Sequence, residues 1–256
     1  IQLKQLAYRI ILKYGINSKD YTPLYDFAIN HGLIPVAKLL ENIENSPVLH
    51  TKSDFVSEFS SSFIDSFKDD NLYRTEQQFV LNDFVEKNKN KSVYIVAPTS
   101  YGKSDLIINA VRDKHKKVCI LVPSKSLLSQ TKKRLLDANI PELSTIITHP
   151  EMYEENPSAR VFLLTQERLS RLLTSMKDLC FDIVFVDEAH NLLAKDRRNH
   201  LLASVITILN YRNKNVAIKY LTPFINDIKN IELKYNPSSE LSFFIDEYVK
   251  SEFFYL

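Results

Sequence analysis

Eight residues, Ala97-Pro98-Thr99-Ser100-Tyr101-Gly102-Lys103-Ser104, constrain this chain more than any other stretch. They follow the apolar run Val93-Tyr94-Ile95-Val96 and precede Asp105-Leu106-Ile107-Ile108-Asn109-Ala110-Val111. That order reads strand, loop, helix. It is the pattern of a phosphate-binding loop, with Ala97 where the first glycine often stands. Backbone N–H groups of the loop and first helical turn can point at a β-phosphate, and the helix dipole favours the same anion. Gly102, one of only three glycines in the chain, permits a positive φ and a close backbone approach. The Lys103 ammonium can bridge β- and γ-phosphates, and the Ser104 hydroxyl can ligate Mg²⁺. Thr99, Ser100, Tyr101, Gly102, Lys103 and Ser104 are therefore the candidate nucleotide-binding set. The plainer alternative is a surface turn that contains Gly-Lys-Ser by chance. The flanking strand and helix patterns argue against it.

At 256 residues the chain is long enough for one or two domains with a full core. Its formal net charge of +2 is too small to argue for a nucleic-acid partner by itself. Lys87-Asn88-Lys89-Asn90-Lys91 reads as a solvated loop. Cys119 and Cys180 both lie in apolar runs, so buried thiols in a reducing, cytoplasmic setting are expected. No Cys/His cluster has zinc-ligand spacing, and no apolar run approaches the roughly 18 residues of a membrane span. A soluble piece of a longer protein, beginning at Ile1 rather than Met, is the expectation, with no membrane partner.

Residues 1–68 are expected to form an all-helical module. Leu3, Leu6, Ala7, Ile10, Ile11 and Tyr14 recur at helical spacing, with Gly15 as the stop. A second helix ends near Gly32, and Val36, Leu39, Leu40 and Ile43 mark a third. Phe55, Phe59, Phe63 and Phe67 form a four-spaced stripe, read as core. From residue 69 to 256 the pattern alternates between strand and helix, the signature of an α/β domain with a mostly parallel central sheet. Strands are expected at 92–97, 117–122, 144–148, 160–164, 182–187 and 215–221. Helices are expected near 103–113, 124–137, 166–175 and 197–210.

The fifth of these strands runs into Asp187-Glu188-Ala189-His190. Ligands of open α/β sheets bind at the carboxyl ends of strands, so this acidic pair should arrive beside the phosphate loop. Asp187 is then placed to hold the Mg²⁺ shell, and Glu188 to orient and deprotonate an attacking water. An acidic strand end entering a helix is the bland reading, and the earlier loop tells against it.

With both motifs in place, the chain resembles the first RecA-like domain of a superfamily 2 helicase of the DEAH type, a P-loop NTPase fold. The resemblance spans roughly residues 69–256 and implies ATP and Mg²⁺ as cofactors, with His190 completing the catalytic box. Leu121-Val122-Pro123-Ser124-Lys125-Ser126-Leu127-Leu128-Ser129-Gln130 resembles motif Ia, and Leu164-Thr165-Gln166-Glu167-Arg168-Leu169 resembles motif Ib. In the family both loops contact the backbone of a tracked DNA or RNA strand, which nominates Pro123, Ser124, Lys125, Gln130, Thr165 and Arg168. Hydroxyls, a helix N-terminus and basic side chains are sequence-blind phosphate partners. Gln166 stands where motif Ib usually has proline.

Leu72-Tyr73-Arg74-Thr75-Glu76-Gln77-Gln78 resembles the adenine-recognition element, with Gln77 assigned by spacing and Gln78 as the alternative. Thr222, in Tyr220-Leu221-Thr222-Pro223-Phe224, stands at the coupling motif III, where Pro223 and Phe224 depart from the family pattern. The resemblance implies a second, C-terminal RecA-like domain of the same protein, bearing arginine fingers. That half is absent from this sequence, and the expectation is a chain that binds ATP but turns it over poorly alone. The rival is a nucleotide-binding interaction module that docks a protein partner through its N-terminal helices without translocating. A different class of P-loop ATPase is a third reading, disfavoured by the motif Ia and Ib segments.

Overall fold

The computed structural model describes residues 2–42, 54–69, 72–98, 101–141, 143, 145–194, 197–223, 225, 227–233 and 241–245. Backbone contacts divide the chain into units of residues 1–83 and 84–256. The first unit opens with α1 (Gln2–Ser18), α2 (Thr22–Asn30), α3 (Ile34–Glu41) and α4 (Asp54–Asp65). A short hairpin follows, β1 (Lys68–Asp69) with β2 (Leu72–Tyr73), and then α5 (Glu76–Lys87), inside which the division falls.

The core of this unit gathers Leu24, Tyr25, Ala28, Ile34, Ala37, Leu40 and Ile64. Two sequence expectations are corrected here. Gly15 does not stop α1, which runs on to Ser18. A Cβ at Gly15 would come within 2.9 Å of the Tyr21 ring, so the glycine serves close packing. The helix ends instead at Lys19, in the left-handed region. The phenylalanine stripe is only half core. Phe63 and Phe67 stack edge to face and pack inward, whereas Phe55 is 78% and Phe59 65% exposed. The helical period identified a face, of which only the C-terminal half is packed.

The second unit contains a parallel sheet of seven strands in the order β5-β6-β4-β7-β8-β3-β9. These are β3 (Val93–Val96), β4 (Val118–Leu121), β5 (Ile146–Ile147), β6 (Val161–Leu164), β7 (Ile183–Val186), β8 (Ala217–Thr222) and β9 (Ser242–Phe244). Every residue of β3, β4, β6 and β7 is buried. Strands covered on both faces need continuous apolar runs, which these sequences supply. Connecting them are α6 (Lys103–Arg112), α7 (Lys125–Asp137), the short α8 (Glu151–Glu155), α9 (Gln166–Ser175) and α10 (Arg197–Arg212).

Leu169, Leu172 and Leu173 of α9 and Leu202, Val205, Ile206 and Leu209 of α10 share one buried cluster with the sheet residues Phe162, Val184 and Ile218. Truncating any of these to alanine should cost about 2–5 kcal/mol. Arg212 closes the far end of α9, donating to Leu173 O at 2.6 Å and Met176 O at 2.8 Å. Tyr94 and Tyr220, register partners on β3 and β8, stack at 4.5 Å. β9, absent from the sequence expectation, pairs with the outer side of β3. Cys119 is buried in β4 as expected, but Cys180 is exposed, because it lies in the turn leading to β7 rather than in a strand.

Candidate active site

The sheet brings the carboxyl ends of β3, β4, β6, β7 and β8 to one edge, and every motif of the second unit follows one of those ends. After β3, Ala97 N–H donates to Thr222 O at 3.0 Å. Thr99 and Ser100 lie outside the described residues. Tyr101 is buried, so this bulky loop residue anchors the turn. Gly102 takes φ 86°, ψ 10° as the residue before α6, a conformation that strains any side chain with a Cβ. Lys103 then opens α6, and its Nζ donates to Ala97 O at 2.6 Å. Burial pulls the Lys103 pKa down, opposed by the charges of Glu188 and Asp187.

The acid pair is held with some strain. Asp187 N–H donates to Leu121 O at 2.9 Å, continuing the β7–β4 pairing one residue past the strand. Glu188 sits at φ 52°, ψ 48°, a left-handed conformation costing about 1–3 kcal/mol for a non-glycine residue. Three hydrogen bonds offset it. Glu188 N–H donates to Asp187 Oδ1 at 3.0 Å, and Asn191 donates to Glu188 O from both its backbone and its side chain at 2.9 Å. His190 Nδ1 lies 3.3 Å from Glu188 Oε2.

Burial, then the Glu188 charge, pushes the Asp187 carboxyl above its ordinary value, with Lys103 and Arg134 pulling the other way. A buried carboxylate in that position gains from a cation. One carboxylate and one hydroxyl, Asp187 and Ser104, are the oxygen donors that suit Mg²⁺, an ion that takes its remaining ligands from water and phosphate. The described residues contain no group of three or more His, Cys, Asp or Glu placed to hold a metal.

The motif Ia and Ib residues have varied placements. Ser124 caps α7, its Oγ accepting from Leu127 N–H at 3.2 Å, while Lys125 and Gln130 are exposed. Thr165 is buried at the start of α9. Arg168 donates to Thr148 O at 2.8 Å, bracing the loop after β5.

Two arginines went unnoticed in the sequence. Arg198 on α10 donates to Pro123 O at 2.7 Å and pairs with Glu167 at 2.8 Å, tying both loops to the helix after the acid pair. A cleft lined by Pro123, Gln166, Asp187, Asn191, Arg198 and Asn199 runs between them. Arg134 in the last turn of α7 donates to Ser104 Oγ. Neither contact has a linear signal. Arg134 reads as an ordinary basic residue at a helix C-terminus, and Arg198 as one of a basic pair.

Thr222 ends β8, fully buried between β7 and β3, and is the register partner of Val96. Gln77 belongs to the first unit, on the opening turn of α5. Its neighbour Gln78 forms a reciprocal cap with Thr75: Gln78 N–H donates to Thr75 Oγ1 at 3.2 Å, and Thr75 N–H donates to Gln78 Oε1 at 3.0 Å.

Residues 71–225 match the family described as type III restriction enzyme, res subunit. Among solved structures the chain is similar to a hypothetical ATP-dependent RNA helicase from Sulfolobus tokodaii, 17% identical with a TM-score of 0.51 over 75% of this chain and 57% of that one. It is also similar to the ATP-dependent type ISP restriction-modification enzyme LlaBIII bound to DNA, 20% identical with a TM-score of 0.43 over 57% of this chain and 12% of that one. No curated protein matches. The first likeness is one of fold, RecA-like and helicase-type, and the chain spans little more than half of that relative's length.

Proposed function

Because the chain belongs to the type III restriction enzyme res-subunit family and folds as a helicase-type ATP-binding domain, we propose that it is the ATP·Mg²⁺-binding half of a nucleic-acid-dependent motor of the superfamily 2, DEAH-box kind. The observation that carries this reading is the Lys103 ammonium, part-buried at the start of α6, held on Ala97 O and attracted by the charges of Glu188 and Asp187. Lys103 binds the β- and γ-phosphates once its hydrogen bond to Ala97 O is released. Gly102 and the first turn of α6 present backbone N–H groups to the same phosphates.

Ser104 and Asp187 would hold Mg²⁺, which supplies charge neutralisation at the phosphates when bound. Glu188 takes the proton of the attacking water. His190, beside Glu188, positions it, and Thr222 relays the state of the site between β3 and β7. Gln77 reads adenine. Lys125 and Gln130 meet a DNA or RNA backbone, with Pro123, Ser124, Thr165 and Arg168 shaping the loops around it. A second RecA-like domain supplies the transition-state arginine.

A second reading, in which the first unit docks a protein, draws on one observation. Leu3, Leu6, Ile10 and Tyr14 lie exposed along one face of α1, and patches of this kind commonly mark interaction surfaces.

Titration of a fluorescent ATP analogue in Mg²⁺ tests the nucleotide assignment. Lys103→Ala removes one cation facing several phosphate oxygens and should weaken binding tenfold or more, as loss of a charge-assisted contact of about 1.5–3 kcal/mol does. Equal affinity in both proteins would sink the phosphate-loop reading.

A further inference from the structure

Arg134 is on the surface of α7, where an arginine in a last helical turn would ordinarily meet solvent or the helix's own carbonyls. Instead its Nη1 reaches across to donate to Ser104 Oγ in the first turn of α6. Its charge also bears on the carboxylate of Asp187. Those are the two oxygen donors proposed for Mg²⁺, and one arginine acts on both. A guanidinium and a divalent ion compete at one hydroxyl, because each draws on the same oxygen and the two positive charges repel at that distance.

We propose that Arg134 is a resident counter-cation, holding Ser104 and compensating Asp187 in the nucleotide-free protein, so that Mg²⁺ must displace it to bind. The inference rests on the proposed nucleotide site. After Lys103, Arg134 adds a second positive charge that acts on the buried Asp187 carboxylate beside Glu188. Metal entry is then a competition that Arg134 sets, because the side chain is long, exposed and able to swing back to solvent.

The experiment is a Mg²⁺ titration of fluorescent ATP-analogue binding to the 256-residue chain, with wild type, Arg134→Gln and Arg134→Lys. Arg134→Gln should lower the Mg²⁺ midpoint roughly three- to tenfold, the worth of one exposed charge-assisted hydrogen bond. Arg134→Lys, which keeps the cation, should fall between the two. A midpoint unchanged in Arg134→Gln overturns the inference. So does a raised midpoint, or weaker analogue binding at saturating Mg²⁺, because either would make Arg134 a phosphate ligand. Failure of the wild type to bind the analogue at any Mg²⁺ concentration would instead overturn the nucleotide site itself.

Discussion

At the scale of single residues, Glu188 is the most informative. Its φ of 52° is one of three positive values among the described non-glycine residues, and three hydrogen bonds hold it there. Glu188→Gln keeps the backbone and the volume but removes the base. In a polypeptide that hydrolyses ATP, this substitution should retain nucleotide binding and slow turnover about 10²–10⁴-fold, read by single-turnover phosphate release. Retention of most of the turnover would take Glu188 out of the role.

The glutamine pair separates in the same way. Gln78→Ala should leave nucleotide preference alone and lower stability by about 1 kcal/mol through loss of the cap. Gln77→Ala should relax the preference for ATP over GTP in competitive binding. No change in preference with Gln77→Ala would reject the adenine assignment. The contiguous residues of the loop and the acid box were legible because their chemistry is written in adjacent letters. Arg134 and Arg198 were not, because their partners are brought to them only by the sheet. The Thr75–Gln78 cap has a linear signal of its own, a Thr-x-x-Gln pattern, which the adenine-recognition element overlaps.

At the scale of elements, the inner strands could be read directly because burial on both faces leaves a continuous apolar run. β9 escaped notice because three residues, Ser242-Phe243-Phe244, carry no such run and gain their order from pairing with β3. β8 holds a feature the sequence hides. Lys219 is 1% exposed within it and donates to Asn88 O at 2.7 Å and Lys91 O at 2.6 Å, just past the C-terminus of α5.

Burial pulls the Lys219 pKa down to about 8 from an ordinary 10.5. A neutral amine still has two N–H groups for the two carbonyls. Between pH 8 and 10.5 the unfolded chain therefore holds more protons at this site than the folded one, and stability rises with pH across that window. Below pH 8 the full cost of burying the charge is present. The urea midpoint of the wild type, relative to Lys219→Met, should climb from pH 8 to 10.5, by up to about 3 kcal/mol in stability. A difference that is flat or falls over the same range would show that Lys219 is not held low.

At the scale of the whole molecule, the phosphate loop, the acid pair, both loop motifs and Thr222 belong to one sheet edge within residues 84–256. On the proposed reading, ground-state binding of ATP·Mg²⁺ is therefore expected from residues 1–256 themselves. Charge developing on the γ-phosphoryl group in the transition state is a different demand. An arginine delivered by a second domain contributes on the order of 10³–10⁵ in rate at related sites, or roughly 4–7 kcal/mol. Nucleic-acid contacts made by motif Ia and Ib residues alone should be weak and fade with salt.

The central claim is that these residues form one half of a nucleic-acid-dependent motor. Its most direct test is steady-state ATP hydrolysis by residues 1–256, compared with a polypeptide extended past Leu256 by a second RecA-like domain, each with and without single-stranded DNA and RNA. The account predicts ATP binding by both, slow and unstimulated hydrolysis by the short chain, and stimulated hydrolysis by the long one. Full stimulated turnover from residues 1–256, or no response to nucleic acid in either protein, would contradict it.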